Sequence, residues 1–188
     1  MRDESLEWQE ISTEHIIRDR WIDFRKSVYR YPDGRIFEPF YTFSRKDYAV
    51  VVATDEEGRY ICVRQFRQGI REVTTEFPAG GLEESDSGRD AEDAALAAAK
   101  RELLEETGYV SDEWFHLLTV PSQATISDNY AYLFRAGNCK PADKQKLDET
   151  EILKVTLLTK EEIEELISEG EFQQAIHLLA WMIAQKKD

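Results

Sequence analysis

Residues 91–107 carry the strongest helix signal in the chain, and extended-type sequence flanks them on both sides. The segment is almost wholly Ala, Leu, Glu, Lys and Arg, all good helix formers. Asp90, Glu92 and Asp93 suit its positive N-terminal end, and Gly108 is the residue that ends such a helix in a left-handed conformation. Ahead of it, residues 48–54 (YAVVVAT) read as a buried strand stopped by Asp55-Glu56-Glu57-Gly58. Residues 59–66 (RYICVRQF) resume as its hairpin partner. Residues 72–77 form a short strand that Pro78-Ala79-Gly80-Gly81 breaks, and a polar loop fills residues 82–90. Beyond the helix, residues 114–120, 130–135 and 151–158 read as strands, with a loop over 121–129. Thr159 and Glu162 make a capping box for a helix to about Ser168 that Gly170 ends, and residues 172–185 are a closing amphipathic helix. One helix set between groups of strands, with helices at the end, predicts an α+β fold around a mixed sheet rather than a doubly wound one.

The N-terminal part is extended as well. Residues 8–30 alternate loosely and read as two strands with a turn at Asp19-Arg20. Tyr31-Pro32-Asp33-Gly34 is a turn, and residues 36–43 are a further extended segment. The 188 residues include nine Phe, eight Tyr and four Trp, enough apolar side chain for a true core. No stretch approaches the roughly 18 apolar residues of a membrane helix, and the polar start lacks a signal-peptide core, so a cytoplasmic protein with no membrane partner is expected. Cys62 and Cys139 stand in no metal-ligand spacing and read as reduced and buried. His15, His116 and His177 are isolated, which gives each a structural or surface role. With 24 Lys and Arg against 38 Asp and Glu, the net charge is −14. That balance opposes nucleic acid as a partner. It leaves open a small phosphate-bearing substrate, because a bound divalent cation reverses the local field.

Three of the acidic residues are gathered on one face of the helix. At about 100° per residue, Glu105 lies some 60° to one side of Glu102 and Glu106 some 40° to the other. Such a stripe costs stability through like-charge repulsion. By itself it reads as a solvated face. It also supplies what Mg²⁺ or Mn²⁺ requires, oxygen ligands on a rigid support, with Arg101 placed to orient a carboxylate.

The flanking residues favour the second reading. Arg101, Glu102, Leu103, Glu105, Glu106, Gly108 and Tyr109 match in register the second half of G-x5-E-x7-R-E-U-x-E-E-x-G-U, so the segment resembles the Nudix box. The first half departs from that pattern. Strict spacing puts Asp93 at the first Glu and Ser87 at the first Gly. Counting from Gly81 instead requires an insertion of about six residues around 85–90. The first acidic position is then open among Asp86, Glu92 and Asp93. Residues 59–69 (RYICVRQFRQG), Glu76-Phe77-Pro78-Ala79-Gly80 and Asp148-Glu149-Thr150-Glu151-Ile152 extend the resemblance, to the ADP-ribose pyrophosphatase-like branch of the Nudix hydrolases.

That resemblance implies an α/β/α sandwich with a mixed sheet (residues 46–188) and an N-terminal β arm (residues 1–45) used for dimerisation and substrate. It implies hydrolysis of the diphosphate of ADP-ribose or a related nucleoside diphosphate sugar, with Mg²⁺ or Mn²⁺. The alternatives are a GDP-mannose or dinucleotide pyrophosphatase, or a silent nucleotide-binding sensor. The metal would be held by Glu102, Glu105, Glu106 and the carbonyl of Ala79, with Glu105 as third ligand or base and Arg101 beside them. Arg64 and Arg67 would reach phosphates, and Trp21 and Phe37 in the arm would stack the base. Close ADP-ribose hydrolases carry a Glu as base in the loop after the box. Residues 121–129 contain none, which leaves Asp128 as a shorter base, or else Glu105, Glu149 or Glu151.

Overall fold

The computed structural model describes residues 4–86, 90–149 and 151–186. Two compact units emerge, one from the residues up to Lys46 with Pro121–Tyr130, the other from Asp47–Val120 with the residues from Ala131 onward. In the first unit, β1 (Gln9–Arg18), β2 (Asp23–Arg30) and β3 (Ile36–Ser44) form an antiparallel meander. The Asp19 carboxylate closes the first turn by accepting from the backbone N–H groups of Trp21 and Ile22. The loop 121–130 joins this sheet: the Phe43 N–H donates to the Ile126 carbonyl at 2.9 Å, and Phe43 bridges Ser127.

The second unit contains β4 (Tyr48–Asp55), β5 (Tyr60–Arg67), β6 (Glu72–Glu76), β7 (Ala79–Gly81), α1 (Ala91–Thr107), β8 (Tyr109–Val110), β9 (Glu113–Pro121), β10 (Tyr130–Pro141), β11 (Leu153–Leu158), α2 (Lys160–Glu169) and α3 (Ala175–Ala184). Its sheet is mixed. The central order is β11-β5-β4-β10-β8, and β4 runs parallel to β10 while its other pairings are antiparallel.

Side-chain alternation on β4 builds the layers. Ala49, Val51 and Ala53 pack with Ala95, Ala98, Ala99 and Leu103 of α1 on one face. Val50 and Val52 pack on the other with Ile163, Ala180 and Trp181 of the C-terminal helices and with Phe172 between those helices. Both faces of the sheet are thus covered by helices, which is why β4 reads as an unbroken apolar run. The three alanines let α1 approach β4 closely, and that approach brings the helix's acidic end to β7.

The N- and C-termini of α1 are where its caps place them. Asp90 accepts from the N–H groups of Glu92 and Asp93, and Gly108 takes φ 78°. Thr159 and Glu162 form the expected box on α2. Three expectations shift. Residues 79–81, expected as a break, pair with β4 from Tyr48 to Val50. β10 continues past Arg135 to Pro141, because an irregularity between Ala136 and Cys139 bends the strand onto β8. The last helix begins at Ala175, since Phe172 turns inward against Phe77 instead of extending it. Both cysteines are free and buried. Among the described residues no helix is long and apolar enough to cross a membrane.

Candidate active site

The C-terminal half of α1 meets β7 through two carboxylates. Glu106 is 2% exposed, and its Oε2 accepts from the backbone N–H of Ala79 at 3.0 Å. Glu102, one turn earlier and 7% exposed, lies against Gly80. A Cβ built on Gly80 would come within 2.0 Å of the Glu102 Cδ, so this carboxylate occupies the space a side chain would fill.

Arg101 ties the arrangement together. Its Nη1 donates to Glu102 at 2.7 Å and to Glu105 at 3.0 Å. Its Nη2 donates to the Gly81 carbonyl and to Asp86, and its Nε donates to the other oxygen of Asp86. A guanidinium has five N–H donors, and these bonds engage all of them. Arg101 is therefore an orienting residue with nothing left for a substrate. The three candidates for the first acidic position lie in different places. Asp86 reaches Arg101, whereas Glu92 pairs with His116 at 3.2 Å and Asp93 lies in the first turn of α1. The polar loop, whose residues 87–89 (Ser87 included) lie outside the described residues, thus returns one carboxylate to the helix.

Burial, and then the charge of Glu102, raise the Glu106 carboxyl well above its usual range. Burial pushes Glu102 up to about 7, against the attraction of Arg101. Glu151, just ahead of β11, adds its negative charge to both. Two buried carboxylates and a third acidic neighbour, beside Arg101 and Arg67 that are each already paired with other carboxylates, make a site short of positive charge. That deficit, with hard oxygen donors, fits Mg²⁺ or Mn²⁺. Glu105 is turned to Arg101, and among the described residues no three carboxylate or imidazole groups already form a metal cage.

Residues 44–182 match the NUDIX domain. The chain belongs to the Nudix family. It is 30% identical over 185 residues to an ADP-ribose pyrophosphatase of Bacillus subtilis (strain 168), covering 98% of this chain and 96% of that protein. A methanol dehydrogenase activator of Bacillus methanolicus is 27% identical over 97% of this chain and 95% of its own length. The crystal structure of an ADP compounds hydrolase superposes with a TM-score of 0.81 at 18% identity, covering 98% of this chain and 96% of that one, and so shares the Nudix fold.

The remaining residues expected at the Nudix site fall in different places. Positions three apart on a strand face opposite sides. Arg67 turns inward, pairs with Glu76 and adds its charge to the field at Glu106. Arg64 faces solvent and meets Glu171 at 3.4 Å. Trp21 and Phe37 lie in the first unit. Trp21 is exposed beneath the Arg20 guanidinium, and Phe37 packs on Tyr31 and Phe40. Asp128 also lies there, accepting from Arg25 at 3.0 Å and from Ser44. Burial opposes its ionisation, but the Ser44 and Arg25 hydrogen bonds prevail and hold its carboxyl below the usual range. The sequence names Glu76 only within the segment 76–80 that extends the resemblance and gives it no role of its own. The available signal was a carboxylate in a segment bound for the core, directly before Phe77.

The raised Glu102 pKa gives a signed expectation. Between its ordinary 4.5 and about 7, the folded chain keeps a proton that the unfolded chain has released. The contribution of Glu102 to stability is therefore full below 4.5 and falls as pH rises through 7. In EDTA, Glu102→Gln gains Tm relative to the unaltered chain as pH is raised from 4 to about 8. Thermal melts that stay parallel across this window would refute it.

Proposed function

We propose that this chain hydrolyses the diphosphate of ADP-ribose or a related nucleoside diphosphate sugar, releasing a nucleoside monophosphate and a sugar phosphate, with Mg²⁺ or Mn²⁺. The observation that carries this reading is the pair of buried carboxylates, Glu102 and Glu106, seated on Ala79 and Gly80 within a Nudix domain. The relatives named for ADP-ribose and, in mouse (35% identical over 108 residues), for ADP-sugars support the substrate class. A silent sensor has no need for two charges whose burial costs so much.

Glu102 and Glu106, with the Ala79 carbonyl, would hold the cation, and Glu105 would join them on turning from Arg101. When bound, the metal neutralises the diphosphate and lowers the pKa of a water. Arg101 keeps Glu102 in one orientation through Asp86 and Gly81. Arg67 offers a guanidinium to a phosphate. The proton of the attacking water goes to Glu105 or Glu151. Asp128 is already satisfied by Arg25 and Ser44, which makes it a poor acceptor and a good latch for its loop. Asp128→Asn accordingly keeps kcat within a few-fold, while Glu105→Gln or Glu151→Gln loses about a hundredfold or more, the usual worth of a general base. A collapse of kcat at unchanged KM in Asp128→Asn would place the base on the loop.

The first unit supplies the homodimer interface in this reading. Ile11, Ile16, Ile17, Ile36 and Tyr41 of its sheet are exposed, and a two-fold pairing is the commonest way to cover such residues. Sedimentation is expected at twice the 21.9 kDa chain mass, and a stable monomer at micromolar concentration rejects the interface. Two reduced cysteines suit a cytoplasmic setting. The substrate is tested by incubating the protein with Mg²⁺ and ADP-ribose, GDP-mannose, UDP-glucose, NADH or a diadenosine phosphate. Monophosphate release fastest from ADP-ribose or another nucleoside diphosphate sugar is expected. Release from NADH or the diadenosine phosphate alone favours a dinucleotide pyrophosphatase, and no release from any of them overturns the hydrolase reading.

A further inference from the structure

Glu76, the last residue of β6, is fully buried, yet four donors converge on its carboxylate. Arg67 donates through both Nε, at 2.9 Å, and Nη2. Thr74 donates its hydroxyl at 3.0 Å, and Gln174, which precedes α3, its amide at 3.3 Å. His177 stands behind the group, its Nε2 4.0 Å away. The Phe77 N–H donates to His177 Nδ1 at 3.2 Å, so the ring proton of the neutral imidazole lies on Nε2, the side facing Glu76. Burial keeps that imidazole neutral.

Stability alone is a weak reason for this arrangement, because a buried ion pair can often be replaced by apolar side chains without loss. The pair is also lopsided. The Glu76 side chain has no exposure, while that of Arg67 keeps 32%. The bidentate contact occupies one edge of the guanidinium and fixes its plane. Among the described residues Nη1 has no hydrogen-bond partner, and the positive charge acts on Glu106. One edge of the fork is thus anchored in the core, and the other is left without a partner among the described residues.

We propose that Glu76 is a positioning residue: it holds Arg67 so that the Nη1 edge binds a non-bridging oxygen of the substrate's diphosphate, with Thr74, Gln174 and His177 fixing Glu76 in turn. The proposal rests on the diphosphate reading of the site. It assigns to β6 and α3 a part in substrate binding that acts through Arg67. It also explains why Arg67 suits this position where Lys does not, since one ammonium cannot serve a buried carboxylate and a phosphate with the geometry of a planar fork.

The test uses the full chain, with Glu76→Gln, Arg67→Met and the double variant. Three quantities are measured: steady-state kinetics on the best nucleoside diphosphate sugar, calorimetric titration of inorganic pyrophosphate with Mn²⁺ present, and Mn²⁺ affinity without pyrophosphate. In Glu76→Gln the KM and the pyrophosphate Kd rise by about tenfold or more, the worth of one charge-assisted hydrogen bond. Both kcat and Mn²⁺ affinity stay within about threefold, because the metal residues are untouched. The double variant matches Arg67→Met, since Glu76 acts only through Arg67. Unchanged KM and pyrophosphate Kd in Glu76→Gln, or effects that multiply in the double variant, overturn the proposal. Should Glu76→Gln fail to fold, Thr74→Val and Gln174→Leu each loosen the same carboxylate by one bond. They must raise the pyrophosphate Kd when Arg67 is present and leave it unchanged in the Arg67→Met background, and any other pattern overturns the proposal. If the unaltered chain turns over no nucleoside diphosphate sugar, the substrate reading fails. The pyrophosphate titration then still decides the role of Glu76.

Discussion

Replacing Glu106 by Gln lowers Mg²⁺-dependent turnover by about three orders of magnitude, on the order of 4 kcal/mol of transition-state stabilisation. The substitution preserves shape, and the amide oxygen can still accept from the Ala79 N–H, so the join between α1 and β7 survives. What disappears is a buried negative charge that burial and Glu102 already oppose. The metal-free variant therefore melts at the same temperature as the unaltered chain or slightly higher. Addition of Mg²⁺ stabilises the unaltered chain by mass action and leaves the variant behind. Paired melts with and without metal, beside the kinetics, check both halves. Near-normal activity in Glu106→Gln would remove the site from α1.

Gly80→Ala is the second large effect, and it arises from a methyl group. The new Cβ would overlap the Glu102 carboxylate, which is the far end of a flexible side chain and can swing away. The chain is expected to fold with an unchanged far-UV spectrum, because the pairing of β7 with β4 uses only backbone. The Glu102 carboxylate, however, leaves its place against residue 80. Mn²⁺ affinity and kcat/KM are expected to fall by about 10- to 100-fold, as when a metal ligand loses its orientation. Gly69→Ala serves as the control, since a Cβ there meets open space. Equal activity in the two variants would show that Glu102 does not need the Gly80 cradle.

The helix that carries the site was legible because its signals are local. Composition, the Asp90 cap and Gly108 define α1 from Ala91 to Thr107 without any tertiary contact. The β4–β5 hairpin was equally plain, since an apolar run met a turn sequence and resumed. Other features depend on where the chain returns in space. Nothing local separates Asp86 from Glu92 and Asp93, because the choice depends on the path of the polar loop to Arg101. Alternation says that Arg64 and Arg67 face opposite sides, but not which side holds the carboxylates. The loop 121–130 gave no sign that it belongs with the N-terminal sheet, as its attachment is a backbone contact to Phe43. The role of Glu76 was hidden for a similar reason. Its partners Gln174 and His177 lie about a hundred positions away and bear no pattern of their own.

Because β4 lies parallel to β10, with Tyr48 beside Ala131, the central sheet cannot close until most of the chain has left the ribosome. The meander β1–β3 needs only near neighbours and can form while synthesis continues. Non-local parallel pairing of this kind is slow, and Val50, Val52 and Leu133 stay wet until it happens. The helix α1 lies inside the crossover between the paired strands, so its acidic end gains its buried surroundings only at that late step. Recovery of metal affinity during refolding should therefore lag the appearance of helical signal, and nascent chains shorter than β10 should bind no Mn²⁺ at this site.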